Sequence, residues 1–166
     1  MGDSPQEERD GTIGTAVGTL YVIHGTFLAA VVIYFVLTLV VKARGAERAL
    51  PVEGVPLAAI FGVASLVCMI CGFAVGWFKN PAEGVTSRQE RSRRVTTQLI
   101  VADALFEAPA VLGLVLFLLG FPLKQAHLLI FASLLVVALQ TLHLGRYAEA
   151  IQRRGTGPNY RGNGAV

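Results

Sequence analysis

Catalytic signatures are missing from this chain. It has no Gly-x-x-x-x-Gly-Lys loop to cradle phosphates, no Gly-x-Ser-x-Gly nucleophile elbow and no His-Glu-x-x-His zinc motif. No soluble catalytic domain is visible, so neither an enzyme activity nor a catalytic residue is expected. Cysteine is nearly absent. Cys68 and Cys71, in the run "CMIC", are the only two, and no second pair exists to complete a metal site. Inside an apolar helix such thiols act as small packing residues. Neither metal nor cofactor is expected. A basic leader is lacking too. The opening "MGDSPQEERD" is acidic and polar, unlike the start of a cleavable signal peptide.

Apolar residues are what the chain has in excess. They make up 54% of its 166 residues, with a mean hydropathy of +0.60, against roughly 45–50% in a soluble domain. The excess falls in four blocks, about Val17–Val41, Pro56–Phe78, Thr97–Phe121 and Ala126–Leu144. Each is long enough to cross the roughly 30 Å hydrocarbon core of a bilayer as a helix. The expected fold is an all-α integral membrane protein with four transmembrane helices in an up-down bundle. Residues 13–145 form the membrane domain, residues 1–12 a disordered N-terminal tail, and residues 146–166 a C-terminal tail. The stretch "GRYAEAIQRR" has the composition to continue as a short interfacial helix.

Lysine and arginine set the orientation. The N-terminal tail has Arg9 and the middle loop has Lys79, Arg88, Arg91, Arg93 and Arg94. The C-terminal tail has Arg146, Arg153, Arg154 and Arg161. That places ten cations on one side, against four on the other: Lys42, Arg44, Arg48 and Lys124. The positive-inside rule puts both termini and the middle loop in the cytoplasm. The basic loop reads as a topology determinant, not a nucleic-acid site. Trp77 and Phe78, just before Lys79, fit an interfacial aromatic anchor. Gly11, Gly14, Gly18 and Gly25 form a stripe in the first span. Gly62, Ser65, Gly72 and Gly76 form another in the second. Small residues let helix backbones approach closely, within one chain or between copies.

The third span carries the anomaly. In "ADALFEAPAVLGLVLFLLG", Asp103 and Glu107 sit one helical turn apart, with Pro109 close behind. A charged carboxylate at a helix centre costs roughly 2.5–3.5 kcal/mol on insertion scales. The two acids lie 40° apart on the helix, on a face shared with Thr96, Ala110 and Leu114. Counted from Thr97, Glu107 lies about 15 Å deep, near the midplane, with Asp103 about one turn nearer the cytoplasm. Such a pair is expected to face the protein interior or a water path, with at least one acid neutral. Pro109 lacks an N–H and frees the carbonyl of Leu105, loosening the helix beside Glu107. Three readings follow. The acids tie helices together by bonding to Gln140, His24 or a hydroxyl, they handle a proton or cation, or they serve a cofactor.

A resemblance favours the second. The run "SRQERSRRVTTQLIVADALFEAPAVLGLVLFLLG", residues 87–120, resembles the loop and second helix of the rotor-ring proteolipid, subunit c, of rotary ATP synthases. The matching features are Arg88-Gln89 in the loop, Glu107-Ala108, and Gly113-Leu114-Val115 in the apolar run. The likeness extends more weakly over 56–120, where the small-residue second span takes the part of the family's Gly-rich first helix. This chain adds a transmembrane helix on each side and a second acid, Asp103. The resemblance implies that Glu107 is a proton-carrying carboxylate, with Asp103 as its coupled partner. It also implies, with the small size, a bacterial inner membrane. The expected partners are the lipid bilayer and other membrane subunits or copies of the chain, with no nucleic acid. The alternative is a non-catalytic structural or assembly subunit of a larger respiratory or photosynthetic complex.

The three histidines bear on the cofactor reading. With the N-terminus inside, His24 and His143 differ in depth by roughly two turns, and His127 lies across the membrane from both. A bis-His haem therefore fits poorly, while a single His ligating a haem or pigment stays open. The orientation is directly testable. Single-cysteine labelling on a Cys-free background is expected to find residues 83–92 and 160–166 reachable only from the cytoplasm. Labelling of 83–92 from the opposite side would overturn it.

Overall fold

A computed structural model describes residues 5–44, 56–78 and 87–152, all of them helical or in short turns between helices. Helix α1 spans Pro5–Ala43 and α2 spans Leu57–Phe73, continuing as one π-helical turn over Ala74–Phe78. Helix α3 spans Arg88–Leu118, α4 Leu123–Thr141 and α5 Leu144–Gln152. Among the described residues, four stretches are long and apolar enough to cross a membrane: Gly14–Ala43, Leu57–Trp77, Gln89–Leu118 and Leu123–Gln152. The chain has the build of a membrane protein. Residues 1–4, 45–55, 79–86 of the basic loop and the C-terminal tail from 153 lie outside the described residues.

The helices exceed the apolar blocks. Helix α1 begins at Pro5, so residues 5–12, set down above as a disordered tail, are helical here. Helix α3 begins at Arg88, nine residues before the expected Thr97. Nothing between Ser87 and Thr97 breaks a helix, and Arg, Gln and Glu are good helix formers. Arg94 also donates to Glu90 one turn back at 2.7 Å. The last apolar block ends early. After a two-residue turn at Leu142 and His143, "LGRYAEAIQ" forms the short helix α5.

Helix α3 organises the interior. Among the most apolar windows of the four candidate spans, 44% of α3 and 39% of α4 is buried, against 11% for α1 and α2. The core is therefore a hairpin of α3 and α4, with α1 and α2 laid on it. Three apolar layers stack along α3. Val95 and Leu99 pack with Leu20 of α1 and with Leu144, Tyr147 and Ile151 of α5. Ala102 and Phe106 pack with Val136 and Val137, and with Met69 and Phe73 of α2. Ala110 packs with Val31 and Ile130. Ser133, fully buried on α4, donates to the carbonyl oxygen of Phe106 at 2.5 Å, beside the Pro109 gap in the helix. The carbonyl that Pro109 leaves without its donor is that of Leu105, one residue earlier, so this bond ties α4 to the adjoining turn of α3.

The two small-residue stripes part company. Gly72 is buried against the Phe106 ring and Gly76 lies near Ala102, so this end of the α2 stripe serves packing within the chain, whereas a Cβ at Gly62 would meet open space. Gly14, Gly18 and Gly25 on α1 are exposed, and among the described residues nothing lies within 4 Å of where a Cβ would be.

Two other glycines are required by the hairpin. At Gly120 the backbone has φ 85°, a left-handed conformation that reverses the chain after α3. At Gly113 a Cβ would lie 2.7 Å from the backbone oxygen of Ala126, so α3 and α4 approach too closely there for any side chain. Replacing Gly113 with Leu should destabilise the protein by about 1–3 kcal/mol through overpacking. Gly120→Ala should cost roughly 1–2 kcal/mol from backbone strain. Gly145→Ala, where a Cβ meets open space, should cost nothing. Unfolding in mixed detergent micelles checks all three, and equal stability of the Gly113→Leu variant would contradict the close approach.

Candidate functional site: polar pairs between α1 and α3

The inward face of α1 follows from its spacing. Leu20, His24, Val31 and Thr38 are its buried residues among those described from Gly14 onward, at intervals of four, seven and seven. Two of these four are polar, and Tyr34 lies half-buried on the same side. A seven-residue step returns a helix nearly to the same face, so α1 presents a row of polar groups to α3 and α4.

Asp103 meets that row at His24. The imidazole Nδ1 lies 3.0 Å and 3.1 Å from the two carboxyl oxygens. Asp103 has no solvent exposure and His24 has 3%. Nε2 of the same ring lies 3.0 Å from Oγ1 of Thr141, an exposed residue at the end of α4. Three helices thus converge on one imidazole. Glu107 sits one turn further along α3 and is half-buried. The hydroxyl of Tyr34 donates to its Oε1 at 2.7 Å. The two acids are not joined by a hydrogen bond. Each is paired separately with α1, Asp103 through His24 and Glu107 through Tyr34.

A third tie lies further along α1. Thr38 donates to the carbonyl of Phe35 at 2.7 Å, and its oxygen accepts from Nε2 of His127 at 3.0 Å. Gln140, a candidate partner for the acids, is engaged elsewhere. Trp77 Nε1 donates to its Oε1 at 2.9 Å, and its amide nitrogen lies 3.4 Å from the Tyr147 hydroxyl. Tyr147 in turn donates to the Gly76 carbonyl at 2.7 Å, and Gln98 donates to that of Val75. Side chains from α3 and α5 therefore take up two carbonyls of the π-helical turn. Trp77, expected as an interfacial anchor, is turned inward and stacks on His143 with ring centroids 4.0 Å apart.

The geometry bears on each chemical reading. Both nitrogens of His24 are engaged within the chain, so it offers no lone pair to a haem or pigment without breaking a bond. Cys71 is exposed and Cys68 half-buried, both as free thiols. No group of three or more metal-ligating side chains occurs among the described residues. The order Thr141–His24–Asp103 matches the hydroxyl–imidazole–carboxylate order of hydrolase triads. Its setting differs. Thr141 closes α4, at the negative end of the helix dipole, which disfavours a developing oxyanion.

Sequence reasoning picked Asp103, Glu107 and Pro109 and named His24 as a possible tie. It missed Tyr34 and Thr141. The signal for Tyr34 was its polar tip on the same side of the first span as His24 and Thr38. Thr141 carried no signal, because its role depends on where α4 ends relative to α1. Comparison of the chain with protein-family models, with characterised proteins and with solved structures finds no match.

The pair can be dissected energetically. Removing one member of a buried charged pair typically costs about 3–5 kcal/mol, because the other is left uncompensated, while replacing both with apolar groups is often neutral. His24→Leu is expected to show that loss, and the double variant His24→Leu/Asp103→Leu to recover most of it. A double-mutant cycle from unfolding in micelles measures the coupling. Additive losses would mean that the two groups do not interact.

Proposed function

We propose that the chain is a proton-handling subunit of a membrane assembly, with Asp103 and Glu107 as its proton-binding groups. The carrying observation is that both acids of α3 are hydrogen-bonded, within an apolar span, to side chains of α1 that can themselves donate a proton. In a low-dielectric interior a lone buried charge is costly, and the His24–Asp103 pair has the groups to take up one proton beyond neutral imidazole with carboxylate. Thr141 supplies a path for that proton. As one arrives at the Thr141 oxygen, the hydroxyl proton passes to Nε2, and the Nδ1 proton passes to Asp103. The result is a neutral imidazole beside a neutral carboxylic acid, and the reverse sequence releases the proton. Glu107, about 6 Å further along the helix axis, is a second such site. Pro109 sits beside it, where the helix can adjust.

The same reading takes the helices as an up-down bundle spanning a bacterial inner membrane, with both termini in the cytoplasm. The opposed pairings of Gly113 with Ala126, Phe106 with Ser133 and Gly72 with Phe106 support that order. The likeness of 87–120 to the rotor proteolipid supports a proton role. The chain's exposed apolar surface is then met by lipid and by neighbouring subunits or copies.

A structural role in a larger respiratory or photosynthetic complex is the second reading. It is favoured by the placement of polar ties at His24, Tyr34 and Thr38 on a helix that is otherwise little buried. Dicyclohexylcarbodiimide separates the two, because it modifies only protonated carboxyls in apolar surroundings. The half-buried Glu107 is expected to be labelled, less so as pH rises, and Glu107→Gln to abolish labelling. Fully enclosed Asp103 should remain unmodified. A wild-type protein inert at every pH from about 6 to 9 would sink the proton-handling role and leave the structural one.

A further inference from the structure

A groove of about 530 Å³ lies between the π-helical end of α2 and the early turns of α3, lined in part by Val75, Glu90, Arg93, Arg94, Thr97 and Val101. Its volume is in the range of small-molecule sites, roughly 300–1,000 Å³. It is graded from one end to the other. Arg93 and Arg94 stand at the polar end, Thr97 follows, and Val101 and Val75 form the apolar end. The gradient marks the level at which α3 passes from the basic run "RQERSRR" to the apolar run beginning at Leu99. That is the level of lipid headgroups. Arg94 is already bonded to Glu90 at 2.7 Å. Arg93 is exposed and contributes the surplus positive charge.

We infer that this groove binds an anionic phospholipid, with the phosphate held by Arg93 and Arg94 and an acyl chain laid past Val101. A planar guanidinium presents paired N–H donors matched to phosphate oxygens, and two adjacent ones clamp it. Thr97 offers a hydroxyl beside them. Below the headgroup, Ala104 and Ala108 continue the row of Thr97 and Val101 at helical spacing. Both are small, and Ala104 is exposed. Side chains this short would let a chain lie close against α3. A free phosphate ion would use only the polar end, whereas a phospholipid uses both. The site is separate from the acids of α3, which face α1, so it stands or falls independently of the proton-handling role.

The test is native mass spectrometry of the full-length protein released from detergent after incubation with equal phosphatidylglycerol and phosphatidylcholine. The wild type is expected to retain phosphatidylglycerol preferentially. Arg93→Gln/Arg94→Gln should lower that retention by about tenfold, the weight of one charge-assisted hydrogen bond to phosphate. Arg146→Gln, which removes an exposed cation on α5, should leave it unchanged, and millimolar inorganic phosphate should not displace the lipid. Val101→Asp, which puts a charge in the path of the chain, should lower retention while keeping both arginines. The inference is overturned if the two lipids are retained equally, if Arg146→Gln acts as strongly as the double variant, or if phosphate alone empties the site. The last result would identify an ion site without a lipid.

Discussion

A carboxylic acid with no solvent exposure inside an apolar bundle must find its hydrogen-bond partner within the protein. For Asp103 that partner is His24, and much else about the molecule follows from bringing the two together. The contact fixes the rotation of α1, since only one face of that helix can carry His24 inward. The same rotation points Leu20, Val31 and Thr38 at α3 and α4 and sets Tyr34 against Glu107. It also turns Gly14, Gly18 and Gly25 away from the interior. An apolar helix in lipid has little reason to prefer one face over another, because lipid tails are as apolar as leucine. A polar pair supplies the preference.

The ties along α1 are individually modest. Hydrogen bonds between membrane helices average about 0.6 kcal/mol in measured cases, and such groups also find partners before assembly. Their value here lies in specificity of register. Shifting α1 by one residue would turn His24, Tyr34 and Thr38 by about 100° and leave several buried polar groups without partners. A proton store and a structural clasp make the same demand on geometry, so the arrangement is compatible with either. They differ in whether the proton can exchange. Thr141, exposed at one end of the chain of bonds and touching His24 at the other, is the feature that a purely structural tie does not need.

The π-helical turn at the end of α2 has a comparable logic at the other side of α3. A π turn shifts the backbone hydrogen-bond register and is sustained where neighbours meet the altered groups. Gln98 and Tyr147 do so from α3 and α5. Trp77 is drawn inward onto Gln140 and His143. The short helix α5 is thus locked to the end of α2 through Tyr147 and to α1 and α3 through its apolar face.

How much was legible beforehand depends on the range of the interaction involved. Four apolar blocks of crossing length, the tight connection through Gly120, and two acids one turn apart in the third span are properties of contiguous residues. Hydropathy and helical periodicity therefore reveal them. The pairing of the acids is not such a property. Asp103 and Glu107 look like one coupled site because they are neighbours on a helix. The tertiary structure assigns them to different partners, because His24 and Tyr34 are ten residues apart on α1 and meet α3 at different points. The inward turn of Trp77 and the outward turn of the α1 glycines were likewise undetermined, since an aromatic residue near a span end and a small-residue stripe each suit more than one environment. Local chemistry determined which residues are costly to place in a membrane. Only the packing of α1 across α3 and α4 decided which groups share that cost, since hydrogen-bond partners are set by proximity in space.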